Sequence, residues 1–114
     1  MTWAVEFLPE ARKELAALEG SVRMRVLKAI ERVRQSPWPS TGDAQGRVGL
    51  GKPLGSRQGA NLTGLLKVKL KSDGIRIVYK LVERDGVLLV VVIAARADDE
   101  VYRRAALRRD GHGL

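Results

Sequence analysis

The sequence has no cysteine and a single histidine, His112, near its end. Without cysteine there are no disulfides, thiolate nucleophiles or thiolate-rich zinc sites, and a reducing compartment suits the chain. One histidine in the tail leaves no imidazole pair for acid–base cleavage of RNA and none for a histidine-based triad. Long apolar runs are also missing: the longest, Val87 to Ala95, is far too short to span a bilayer. The opening MTWAVEFLPEARKEL places acidic residues early and lacks a cationic start followed by an apolar stretch. It does not read as a signal peptide, so a cytoplasmic protein with no membrane partner is expected. Acidic residues are scattered over helices and turns, and Asp98-Asp99-Glu100 reads as a helix start rather than a metal site. No metal and no other cofactor are expected.

What the chain has in excess is positive charge. Twenty-one Lys and Arg against 13 Asp and Glu give a formal +8 in 114 residues, with a pI near 10.4. A small domain this basic is predisposed toward polyanions, chiefly nucleic acid, or toward an acidic protein partner. Hydrophobic residues make up 45% of the chain, enough for one modest core, and the length suits one domain covering residues 1–114.

Trp3, Val5 and Phe7 alternate with Thr2, Ala4 and Glu6 and predict a short half-buried strand. Pro9 suits the first turn of a helix carrying Ala11, Leu15 and Leu18, which Gly20 should stop. Ser21 is the expected N-cap of a second helix with Val22, Val26, Ala29, Ile30 and Val33 on its inner face. Residues 36–61 hold most of the prolines and half of the glycines and predict a long flexible loop, with room for one short irregular strand. Three strands follow, near 62–71, 75–83 and 87–95, punctuated by the hairpin dipeptides Asp73-Gly74 and Asp85-Gly86. Val87 to Ile93 lacks polar alternation and should be covered on both faces. Asp98 or Asp99 can cap a short last helix, and residues 110–114 read as a frayed tail. The predicted class is α+β: an N-terminal strand, a helical hairpin, then a three-stranded antiparallel meander packed on the helices, with a short C-terminal helix.

Two loop motifs fail on inspection. Gly46 to Lys52 matches a phosphate-binding loop up to the lysine, but Pro53 stands where Ser or Thr should meet magnesium. Gly49 to Gly55 misses the dinucleotide fingerprint by one residue. Both read as ordinary loop glycines.

The stretch LKVKLKSDGIRIVYK, residues 66–80, has the opposite character. Residues two apart on a strand share a face, so Lys67, Lys69 and Lys71 point one way and Leu66, Val68 and Leu70 point to the core. With Asp73-Gly74 as a two-residue turn, Lys71 faces Arg76, Lys69 faces Val78 and Lys67 faces Lys80, which gathers every cation of the hairpin on one surface. Like charges in register destabilise a sheet, and a bound phosphate would relieve them. A merely solvated strand face is the competing explanation.

Beyond the hairpin lie an apolar strand, Arg96, and Tyr102 six residues on. The succession Lys-x-Lys, turn, Gly-x-Arg-x-Val-Tyr, apolar strand, Arg, Tyr resembles the RelE family of toxin–antitoxin ribonucleases, part of the wider RelE/ParE group. The likeness includes the first strand and the Pro9 to Leu15 helix start, and so covers nearly the whole chain apart from the loop. The resemblance implies a metal-independent endoribonuclease that cuts mRNA in the ribosomal decoding site and is neutralised by a cognate antitoxin. It assigns the catalytic positions to Lys67, Lys69, Arg76, Arg96 and Tyr102, with Lys71 and Lys80 as supporting RNA-binding charge. The gyrase-poisoning ParE toxins generally lack this set; a ParE-like inhibitor and a passive RNA-binding module are the alternatives.

These residues suit the chemistry. Attack of a 2′-hydroxyl on the adjacent phosphorus needs a base, stabilisation of the phosphorane and a proton for the leaving 5′-oxygen. Neighbouring cations disfavour the charged form of a lysine, so Lys67, Lys69 and Tyr102 are the candidate bases. Arg76 and Arg96 are better charge clamps than acids. Tyr102 could instead stack on a base, or anchor the last helix, and Arg96 could end its strand paired with Asp98 or Asp99. Ile75 and Leu66 stand where many relatives have aromatics, which leaves Trp38 as another source of stacking. Tyr79, beside Ile77, is expected in the core.

Overall fold

A computed structural model describes residues 3–57 and 60–114. In chain order the elements are β1 (Ala4–Phe7), α1 (Pro9–Ala17), α2 (Gly20–Gln35), β2 (Lys52–Arg57), β3 (Ala60–Leu70), β4 (Ile75–Val82), β5 (Val87–Ala94) and α3 (Asp98–His112). The strands form one mixed sheet in the order β1-β5-β4-β3-β2, in which β1 runs parallel to β5 and all other neighbours are antiparallel. The expected α+β class and its meander β3-β4-β5 are present. The continuous apolar run of β5 is explained by its interior place, with Val90, Val91, Val92 and Ile93 all buried.

Local chemistry moves several boundaries. Pro9 opens α1 and Ala11 seats it against the core. Gly20 does not stop that helix; it is the first residue of α2. Ser21 is not the cap, because the Glu19 carboxylate accepts from the Ser21 and Val22 amides. The inner face of α2 is as expected, with Val26, Ala29, Ile30 and Val33 buried. The predicted loop ends earlier than 61: its last part forms β2 and the start of β3. Pro53 and Gly55 disguise β2 as loop, and they are tolerated because β2 is an edge strand with a register shift between those two residues. Gly49 and Gly51 are packing glycines: a Cβ on Gly49 would collide with the Ser36 and Trp38 backbone, and one on Gly51 with the Tyr79 hydroxyl. Tyr79 is fully buried, as expected, and donates to Pro37 O at 2.9 Å.

The β3–β4 turn corrects the hairpin register. Leu70 pairs with Ile75, so the turn holds four residues, Lys71 to Gly74, with Gly74 at φ +65°. Lys69 therefore faces Arg76, Lys67 faces Val78 and Lys80 faces Leu65. The bidentate Arg25–Asp73 pair, at 2.9 and 2.8 Å, ties this wider turn to α2. The parity of the lysines survives, but Lys71 leaves the strand. Part of the lysine face is covered rather than solvated: α3 lies across it, running over β3, β4 and β5, while Lys69 stays exposed.

Glu14 of α1 locks α3 in place. Between β4 and β5 the register shifts, so that Val78 faces Val92 and Tyr79 faces Val90, leaving Val91 as the extra residue of a bulge. Backbone groups freed by a bulge need other partners. Glu14 accepts the Ile93 amide at 3.0 Å, and Arg108 donates to Val91 O at 2.9 Å. The same carboxylate binds Arg104 at 2.8 Å and Arg108 at 2.6 Å, joining α1, β5 and α3. Consequently α3 is not short, and residues 110–112 are not frayed. It continues to His112, where Gly113 takes the left-handed conformation at φ 68°, Leu114 N bonds Arg109 O, and His112 meets Glu10.

Candidate active site

The helix laid over the lysine face turns a row of strand cations into a cluster. Lys67 is 7% exposed, the one buried charged residue among the described residues. A buried ammonium needs partners. It finds Tyr102 Oη at 2.9 Å and Asp98 Oδ1 at 3.4 Å. Its nitrogen lies 5.3 Å from the centroid of the Tyr102 ring, but at the hydroxyl end, so the contact is a hydrogen bond rather than a face-on cation–π stack.

Asp98 also accepts from Arg76 Nε at 2.5 Å, and the Arg76 guanidinium continues to Arg96 O at 2.5 Å and Gly74 O at 3.3 Å. Partial burial opposes the Asp98 charge. The hydrogen bond from Arg76 and the charges of Lys67 and Arg76 outweigh it and hold the carboxyl below its ordinary range. Asp98 was expected as a helix cap; Ala97 occupies that position without a side-chain bond, and Asp98 turns to the cations instead. The signal that could have found it is spacing: Asp98 and Tyr102 are four apart, and so on one face of α3.

The remaining residues assigned from sequence divide into two groups. Lys69 is exposed beside Arg76 and makes no hydrogen bond or ion pair among the described residues. Arg96 stands at the rim with its side chain 57% exposed, 3.6 Å from Glu100 rather than paired with Asp98 or Asp99. Lys71 lies in the turn, and Lys80 is held at the other end of α3 by Leu114 O at 3.3 Å. Neither touches the cluster. Tyr102 is buried by α3, with its hydroxyl committed to Lys67, so both its anchoring role and its place beside the cations are realised. Trp38 lies elsewhere, under the Arg47 guanidinium at 5.2 Å, lining a cleft of about 410 Å³ with Pro39, Pro53 and Leu66. Among the described residues no three carboxylate or imidazole groups converge on a metal position.

A helical hairpin and a C-terminal helix on a strand meander, with strand cations meeting that helix, define a small basic α+β protein. In sequence and in fold the chain is similar to RelE toxins. It is 29% identical over 108 residues to the mRNA interferase toxin RelE of Escherichia coli, covering 95% of this chain and 98% of that protein. A mutant of E. coli toxin RelE solved in the free state superposes with a TM-score of 0.71 at 26% identity, over 95% of this chain and 98% of that one. A mutant E. coli RelE in complex with an antitoxin RelBc peptide gives a TM-score of 0.64 at 26% identity, over 92% and 95% of the two chains. No protein-family model matches the chain.

Proposed function

We propose that this protein is the toxin of a toxin–antitoxin pair and an endoribonuclease acting on mRNA, with the ribosome-held message as its substrate. The observation that carries the proposal is the meeting of Lys67 and Arg76 at one carboxylate, Asp98, with Tyr102 bonded to Lys67 and with Lys69 and Arg96 open to solvent beside them. Relatives named mRNA interferases, similar along nearly the whole chain, support it.

In the proposed reaction Lys69, unpartnered and exposed, takes the proton of a 2′-hydroxyl. The oxygen attacks the adjacent phosphorus, a cyclic 2′,3′-phosphate forms, and the bond to the 5′-oxygen breaks. Arg76 and Arg96 hold the charge gathered on the phosphorane, since guanidinium keeps its proton and donates in a planar fork. The leaving 5′-oxygen receives its proton from the Lys67–Tyr102 pair. For that geometry the substrate phosphate must replace Asp98 on Arg76. The cognate antitoxin is expected to carry an acidic segment for this basic surface.

The test is brief expression in growing cells with cleavage sites mapped on translated mRNA. Wild type should arrest growth and cut messages, and Arg76→Ala, folded by circular dichroism, should lose at least a hundredfold in cleavage, the scale of a lost transition-state donor. Normal cutting by that variant would refute the site. Intact mRNA with induced DNA damage would replace the ribonuclease with a ParE-like activity. Coexpression of a cognate antitoxin with an acidic contact segment should restore growth.

A further inference from the structure

On the other face of the hairpin lies a second basic surface. Arg25, Lys28 and Arg32 of α2 form the wall of a groove of about 380 Å³ whose floor is Ala29 and Leu70. Their spacing of three and four residues puts the cations on one stripe of the helix. At a rise of about 1.5 Å per residue the stripe spans roughly 10 Å, about the reach of two or three successive phosphates along a strand. Glu31, the acid nearest in sequence, is engaged by Arg34, and Asp73 is held by Arg25 at the groove's end. Lys28 and Arg32 are exposed and carry no ion pair among the described residues. The groove backs onto the candidate site across the sheet: Leu70, its floor, is the strand neighbour of Lys69 and points to the opposite face, and the Leu70–Ile75 pair is followed directly by Lys69–Arg76. Only the tip of the hairpin, which carries the exposed Lys71, separates the two surfaces.

We propose that this groove is a binding surface for the substrate RNA strand itself: the strand crosses the hairpin tip from the Lys69–Arg76 pair and lays its phosphates along Arg25, Lys28 and Arg32. This rests on the proposed ribonuclease function for the identity of the strand. An RNA backbone fits better than a protein helix, because the floor offers only one alanine and one leucine. The exposed apolar residues of α2, Met24 and Leu27, are not among the groove's lining residues.

The experiment measures binding of a fluorescent single-stranded RNA of about a dozen nucleotides to the purified protein over a range of salt. Single strands contribute about 0.7 to the logarithmic salt slope per phosphate neutralised, so Lys28→Gln with Arg32→Gln should lower the slope by about 1.4. Both substitutions leave the Arg25–Asp73 anchor of the turn untouched. A control pair, Arg12→Gln with Arg84→Gln, removes two exposed cations elsewhere. An unchanged slope in the groove variant overturns the proposal, and so does an equal loss in the control, which makes the effect one of net charge. Weakened antitoxin binding with the RNA slope intact also overturns it and gives the groove to the protein partner. A trinucleotide, too short to span both surfaces, should bind wild type and groove variant alike. Cleavage mapping separates the two proposals: a groove effect without any mRNA cutting sinks the ribonuclease function alone, and cutting without a groove effect sinks the groove alone.

Discussion

Replacing Asp98 by Asn should make the protein bind RNA more tightly and fold less stably. Asp98 sits where a substrate phosphate is needed, 2.5 Å from Arg76 Nε and 3.4 Å from Lys67 Nζ, and it is an internal competitor for both. A hydrogen bond between charged groups contributes about 1.5–3 kcal/mol when shielded. With the Asp98 side chain 46% exposed, solvent screening reduces this to about 1 kcal/mol. Asparagine keeps the oxygen but drops the charge, so RNA affinity should rise about fivefold. The buried Lys67 loses its counter-charge at the same time, which should cost a similar amount and lower the melting temperature by roughly 3–6 °C. The sign with pH follows from the direction of the shift. Because the folded carboxyl is held below its ordinary 3.8, its stabilisation is complete above the unfolded value and is lost as pH falls through the folded one. Parent and variant should therefore differ fully at neutral pH and converge in strong acid. Fluorescence anisotropy with a short RNA, alongside thermal melts at several pH values, measures both effects. A second comparison in an Arg76→Ala background isolates the competition, since the gain should largely vanish there. RNA affinity unchanged or weakened by Asp98→Asn would refute the competitor role. Tighter binding with cleavage abolished would place Asp98 in the chemistry instead.

Two further outcomes test how the scaffold presents the cluster. Glu14→Gln strips the charge from the carboxylate that serves Ile93 N, Arg104 and Arg108. Loss of this half-buried junction should cost about 2–4 kcal/mol in chemical denaturation. Amide exchange should quicken along α3 more than along α2, and uniform quickening would mean that Glu14 does not specifically dock α3. Gly51→Ala places a methyl group against the Tyr79 hydroxyl and Leu66, and should cost about 1–3 kcal/mol through overpacking; a melting curve that does not move would show that the loop yields freely.

The elements legible in the sequence are those whose own residues set them. The apolar run of β5, the inner face of α2 and the Pro9 start of α1 carry their periodicity locally, and they stand where periodicity puts them. Alternation from Leu66 to Leu70 also sorts lysine from leucine correctly, because side-chain parity on a strand needs no partner. It cannot say which face another element will cover. That depends on the docking of α3, which buries Val101, Tyr102 and Ala105 on the lysine side and ties Arg104 and Arg108 to Glu14, far away in sequence. Once α3 is there, Lys67 is buried rather than solvated, and burial requires Tyr102 and Asp98 as partners. The five residues named through the family resemblance are thus brought to one end of α3, whereas Lys71 and Lys80, chosen for charge alone, fall outside the cluster. Asp98 was missed for a related reason: an acid in the first turn of a helix already has a sufficient local explanation. The four-residue turn is a tertiary effect as well, with Asp73 drawn to Arg25 across 48 positions of sequence. Local signals thus describe the surfaces this chain can offer. The site arises where two surfaces meet, and in that meeting the buried residues of α3 are joined by long-range ion pairs that leave no periodic trace.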